Sequence, residues 1–220
     1  MRRSLLLAAG LSFGLGLPAL GAEPSEVRFP TPDGQTRVAL LYAGGPHAVV
    51  LAHGGVFDKE SWSEQAAALV DAGLTALAFD FRGYGEGPGE PTYGLPGKEN
   101  DVLGAIAYLD DAGYERISVV GGSMGGQFSI AAAAASDRID RLVLLAPGGA
   151  EHAADIRARS ILFITSENDR LRAEVDRAYR AAPEPKRIEI VPGDAHAQHL
   201  FATDQGPAVT ELIVAFVTTE

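Results

Sequence analysis

Ile117-Ser-Val-Val-Gly-Gly-Ser-Met-Gly-Gly-Gln-Phe128 is the stretch around which this chain is read. Ile117, Val119 and Val120 form a short β-branched run, which predicts a buried strand. Residues 127–135 are rich in alanine and predict a helix. Between them, Gly121-x-Ser123-x-Gly125 predicts a sharp strand-to-helix turn. In such a turn the serine takes a strained conformation, and a side chain at either flanking glycine would collide with neighbouring backbone. The turn lifts Ser123 Oγ clear of the sheet and sets it at a helix N-terminus, where free N–H groups favour developing negative charge.

Outward from this turn the chain alternates between strands and helices. Residues 48–52, 74–79, 141–146, 161–165 and 187–191 are apolar or β-branched runs and predict strands. Residues 65–72, 99–111, 172–181 and 207–217 predict helices, the first two closed by Gly73 and Gly113. Ser61-Trp-Ser-Glu64 resembles a capping box for the helix at 65–72. Two strand-like pieces, at 27–29 and 36–42, flank the turn Pro32-Asp33-Gly34 and predict an antiparallel hairpin. A glycine-rich loop after Asp80 leads to the helix at 99–111. Repeated units of this kind imply a mostly parallel sheet flanked by helices on both faces. Ligands in such sheets bind beyond the carboxyl ends of the strands, so the informative residues are those just after a strand.

His53-Gly54-Gly55 follows one strand. A glycine loop lets backbone N–H groups approach a developing oxyanion, so the N–H of Gly55, with Val56 as the alternative, is one candidate donor and that of Met124 the other. His53 is expected to brace its turn. Asp169 follows the strand at 161–165 and is placed to orient an imidazole, with Glu167 as its rival. His196 follows the last strand and is the candidate base, preferred over His199 by its place in the loop. His196, His199 and Asp194 would make only half of a metal site, with no histidine-rich cluster to complete it, so no metal and no cofactor is expected. Phe57, Trp62, Tyr84, Met124, Leu171 and Phe201 lie near strand ends and are candidates to line an apolar pocket. Lys59, Arg82 and Arg170 sit in the same loops, Arg82 as a brace for its turn.

Composition narrows the function classes. A chain of 220 residues that is 46% hydrophobic can bury one sizeable core. The net charge of −11 argues against nucleic acid or an anionic membrane as partner. With no cysteine there is no thiol nucleophile, disulfide or thiolate metal site. Residues 1–22 read as a signal peptide: Arg2-Arg3, an apolar run from Leu5 to Leu17, and small residues through Ala22. Sec and twin-arginine export fit equally, leaving residues 23–220 as a single exported domain, periplasmic or extracellular. The apolar run holds glycines and ends at Pro18, which makes it a poor membrane anchor.

The order Ser123, Asp169, His196, together with His53-Gly54-Gly55, Asp80-Phe-Arg-Gly83-Tyr-Gly85, Gly121-Gly-Ser-Met-Gly125 and Ser166-Glu-Asn-Asp169, resembles the α/β-hydrolase superfamily over roughly residues 36–218. The nearest branch is that of dienelactone-hydrolase-like proteins and small serine esterases. The resemblance implies an α/β-hydrolase fold with Ser123 as nucleophile, His196 as base, Asp169 as orienting acid and backbone donors at Gly55 and Met124. Two departures stand out. Dienelactone hydrolases proper carry a cysteine nucleophile, and many members insert a helical lid where this chain has only residues 147–160, too few for a cap domain. The expected activity is hydrolysis of a small carboxylic ester at an open site. The alternatives are a non-catalytic binding protein on the same fold, or an acyltransferase or peptidase using the same triad.

Overall fold

Pro32, Asp33 and Gly34 reverse the chain, with Gly34 at φ 81° and Thr31 closing the turn through bonds to Gln35. Strands β1 (Ser25–Pro30) and β2 (Thr36–Tyr42) accordingly pair as the antiparallel hairpin expected. The structure, a computed structural model, describes residues 23–85 and 94–219. The signal peptide read at residues 1–22 lies outside the described residues, as do residues 86–93 of the glycine-rich loop after Asp80.

Beyond the hairpin come β3 (His47–Ala52), β4 (Thr75–Phe79), β5 (Arg116–Gly122), β6 (Ile139–Leu145), β7 (Ser160–Ser166) and β8 (Lys186–Val191). They form one sheet in the order β1-β2-β4-β3-β5-β6-β7-β8. β2 meets β4 antiparallel and every later pairing is parallel. Nearly every residue of β3 to β7 is buried, which is why these strands read as unbroken apolar runs rather than alternating ones.

The helices are α1 (Ser63–Asp71), α2 (Lys98–Asp111), α3 (Met124–Ala135), α4 (Arg172–Ala181) and α5 (Gly206–Thr218). α1 packs with α5, and α2 with α3. The capping box expected at Ser61 does not form. A single 3-10 turn, Lys59–Trp62, runs straight into α1, and it is Asp58 that caps this turn by accepting from the Ser61 N–H. The Ser61 hydroxyl donates instead to Asp58 O and accepts from Gln198 Nε2. Between β6 and β7 there is one short 3-10 turn, Ala153–Asp155, and no cap domain.

Candidate active site

The site is built on the ends of β3, β5, β7 and β8, with β6 between the two pairs. After β5 the chain turns at Ser123, whose φ of 50° and ψ of −109° lie where a side-chain-bearing residue is strained, and α3 begins at the next residue, Met124. The flanking glycines are required sterically. A Cβ on Gly125 would stand 2.1 Å from the carbonyl oxygen of Ala52 in β3. One on Gly121 would stand 2.7 Å from both the Gly125 oxygen and Ser129 Oγ. The turn is pinned from behind by Ser123 N–H donating to Leu145 O at 2.9 Å. α3 therefore starts three residues earlier than its alanine run suggested, because the two glycines after Ser123 already lie in its first turn.

His196 and Asp169 come from the loops after β8 and β7. Those loops are tied together: Ser166 Oγ donates to Ala195 O, Glu167 N–H to Val191 O, and Asn168 N–H to Gly193 O. His196 Nδ1 lies 3.0 Å from each carboxylate oxygen of Asp169. A carboxylate there only accepts, so Nδ1 carries the proton and Nε2 is left as an acceptor. Nε2 lies 2.8 Å from Ser123 Oγ, whose hydroxyl therefore donates to it. The Asp169 side chain is fully buried, and its Oδ1 also accepts from Leu171 N–H at 2.7 Å. The structure thus brings Ser123, His196 and Asp169 into one hydrogen-bonded line. Glu167 is exposed, and the ring of His199 lies against Phe57, 5.0 Å between centroids.

The loop after β3 is held from three sides. His53 is wholly buried, its Nδ1 2.8 Å from Gly54 O and its Nε2 accepting from Phe81 N–H. Burial pushes its pKa below the ordinary histidine value, so it stays neutral and serves as the brace expected. Lys59 donates to Asp80 from both backbone and side chain, and the Tyr84 hydroxyl donates to Gly55 O at 3.2 Å. Gln198 supplies the third restraint, accepting from Gly54 N–H at 2.6 Å. Phe57 N–H is spent on Gly54 O, and among the described residues neither Gly55 N–H nor Val56 N–H has an acceptor. Gly55, Val56 and Met124 all border the cavity, of about 550 Å³, onto which Ser123 and His196 open. Met124 is the first residue of α3, where a helix has N–H groups without internal partners.

A family model described as alpha/beta hydrolase fold matches residues 47–178, a span that includes the serine turn and Asp169. The chain belongs to the α/β-hydrolase fold family. An esterase from Pyrococcus furiosus superposes with a TM-score of 0.76 at 19% identity, covering 94% of this chain and 95% of that one. A dienelactone hydrolase from Anabaena variabilis superposes with a TM-score of 0.72 at 21% identity, covering 89% and 97%. In sequence, an uncharacterized protein of Mycobacterium tuberculosis is 29% identical over 179 residues, which are 70% of this chain and 64% of the relative. The chain thus spans less than two thirds of that relative's length.

The pocket expected of this α/β-hydrolase is drawn differently. Phe57 and Met124 border the cavity, but Trp62, Tyr84, Leu171 and Phe201 do not. Trp62 is fully buried in the core, and the half-buried Phe201 packs edge-on against it at 5.7 Å. Tyr84 is a buried brace beneath Gly55, and Leu171 contributes its backbone N–H to Asp169. The walls instead include Val56, Gln127, Phe128 and Arg170. Gln127 and Phe128 lie one turn beyond the serine on the helix that carries it, a spacing that would have found them. Nothing in the sequence points to Gln198. Arg82 braces its turn as expected, forked onto the buried Asp101 and reaching Asp33.

Proposed function

We propose that this protein is a serine hydrolase that cleaves small carboxylic esters through an acyl-enzyme on Ser123. The observation that carries the reading is the line Asp169–His196–Ser123, at 3.0 and 2.8 Å, ending on a cavity. As Ser123 Oγ attacks the ester carbonyl carbon, its proton passes to His196 Nε2, and Asp169 stabilises the resulting imidazolium. The tetrahedral oxyanion is held by the N–H groups of Gly55 and Met124, each worth about 2.7–4 kcal/mol of transition-state stabilisation. His196 then protonates the departing alkoxide. Water, deprotonated by the same nitrogen, attacks the acyl-enzyme, and Ser123 recovers its proton as the carboxylic acid leaves. The absence of a cap between β6 and β7 supports a small substrate reached from solvent. With the signal read at residues 1–22, we place the reaction outside the cytoplasm.

The test is release of p-nitrophenol from short acyl esters, with a fluorophosphonate probe to label the serine. Turnover and labelling are expected in the parent protein and neither in Ser123→Ala, with the fold unchanged by circular dichroism. A folded parent that neither turns over nor labels overturns the reading and leaves a binding protein on this fold.

A further inference from the structure

The cations near the site are not equivalent. Lys59 Nζ is 2.6 Å from Asp80 and also pairs with Glu60. Arg82 is neutralised by Asp33 and Asp101. Arg170, the residue after Asp169, is exposed, borders the same cavity as Ser123 and His196, and has no hydrogen bond or ion pair among the described residues. Among the described residues, no aspartate or glutamate borders that cavity. This is notable in a chain with 29 acidic and 18 basic residues, where a surface chosen without regard to charge would carry carboxylates. The rest of the lining includes apolar Val56, Phe57, Met124 and Phe128.

An arginine fork without a counter-ion, set beside a reactive centre and apolar walls, matches a planar anion on a short apolar spacer. We propose that Arg170 selects esters that carry a free carboxylate, such as hemi-esters of short dicarboxylic acids. This rests on the esterase reading above and names its substrate class. The scissile carbonyl lies at Ser123, the spacer along Phe57 and Phe128, and the carboxylate accepts from the Arg170 guanidinium. The bond changes are those of ester hydrolysis: the Ser123 Oγ–acyl bond forms as the ester C–O bond breaks, and the alcohol leaves with the proton from His196. Water then releases a dicarboxylate. Arg170 forms and breaks no covalent bond. Its contribution is to substrate capture, and because the residue is exposed that contribution is screened by salt.

The experiment measures kcat/KM for two matched pairs of esters, each differing by a free carboxylate. One pair, p-nitrophenyl hemiglutarate and p-nitrophenyl pentanoate, carries it on the acyl side. The other, 4-acetoxybenzoate and phenyl acetate, carries it on the alcohol side. In at least one pair the anionic-to-neutral ratio is expected to fall about tenfold in Arg170→Gln, the worth of one charge-assisted hydrogen bond. It should fall further in Arg170→Glu, stay closer to the parent in Arg170→Lys, and decline in the parent as sodium chloride is raised. Ratios that are the same in the parent and Arg170→Gln for both pairs overturn the inference while leaving the esterase reading intact. If the parent cleaves none of the four esters and Ser123 does not label, the esterase reading itself has failed.

Discussion

Gln198 Oε1 accepts the Gly54 N–H at 2.6 Å, joining the loop that carries His196 to the loop that carries Gly55 across 144 positions of sequence. The amide is buried, its Nε2 donates to Ser61 Oγ at 2.9 Å, and a Cβ on Gly122 would stand 3.2 Å from it. One side chain therefore helps set the spacing between His196 and the N–H groups of Gly55 and Val56.

Gln198→Leu removes this acceptor and leaves Gly54 N–H buried without a partner, at an expected cost of about 1–3 kcal/mol in stability. In the mechanism proposed above the oxyanion is fully formed only in the transition state, so kcat should fall at least tenfold while KM changes little. Gln198→Glu keeps the acceptor and should recover part of kcat. Steady-state kinetics with a thermal melt read both effects. An equal loss in both variants, or a loss in KM alone, would count against the spacing role.

Gly125→Ala should be among the most damaging small changes in the chain. Its Cβ would lie 2.1 Å from Ala52 O, so β3 and α3 cannot both keep their places. A loss of about 3 kcal/mol or more is expected. Gly148 lacks a positive φ, and the nearest atom to a Cβ there is Gln127 Oε1 at 3.5 Å, so Gly148→Ala should cost little. Denaturant melts of the two variants make the comparison.

Asp101→Asn tests the brace under the strand ends. Asp101 is wholly buried and accepts from the backbone, Nε and Nη2 of Arg82. Losing its charge leaves the largely buried Arg82 guanidinium with Asp33 as its carboxylate partner and takes a negative charge from beside the buried Arg37, for which about 3–5 kcal/mol is expected. Asp176→Ala removes the partly exposed i,i+4 pair with Arg172 and should cost under about 0.5 kcal/mol.

His47 makes stability depend on pH. Burial chiefly, and Arg116 and Arg141 beside it against the opposing pull of Asp140, lower its pKa from 6.5 to about 4. Its Nε2 meets Ser118 Oγ at 2.8 Å inside the sheet. The unfolded chain binds this proton first as pH falls. Stability is therefore full above about pH 6.5 and is lost on the way down to about pH 4, on the order of 2–3 kcal/mol from this group. His53, lowered in the same direction by burial, adds to the loss. In His47→Gln, urea melts between pH 7 and 4 should show a flatter slope than the parent.

What could be read from the sequence were features confined to one segment. Gly121, Ser123 and Gly125 announce their turn because the constraint is local backbone geometry. Asp169 and His196 stand out because each follows a strand, and the structure brings the two within hydrogen-bond distance. Trp62 and Phe201 look alike in sequence to Phe57, being aromatic and near strand ends. Which of them faces a cavity is decided by packing between α1 and the loop after β8, which no local pattern records. Gln198 and Arg170 have the same difficulty in another form, since their roles depend on partners, or on a lack of partners, far away along the chain. The Ser61 motif misled because a capping pattern describes how a helix starts from open chain, and here a tighter turn is already under way.

The outermost position of β8 has a consequence for thermal behaviour. Among the described residues β8 pairs only with β7, and most of its residues are exposed or half-buried, whereas β3 and β5 lie deep in the sheet. Margins of this kind open at lower cost than the body of a domain. The loops that follow β7 and β8 carry Asp169 and His196, so a brief separation at this margin breaks their hydrogen bonds to each other and to Ser123 while the serine turn stays intact. On slow heating, turnover should disappear before the far-ultraviolet spectrum changes, and it should return on cooling from that interval.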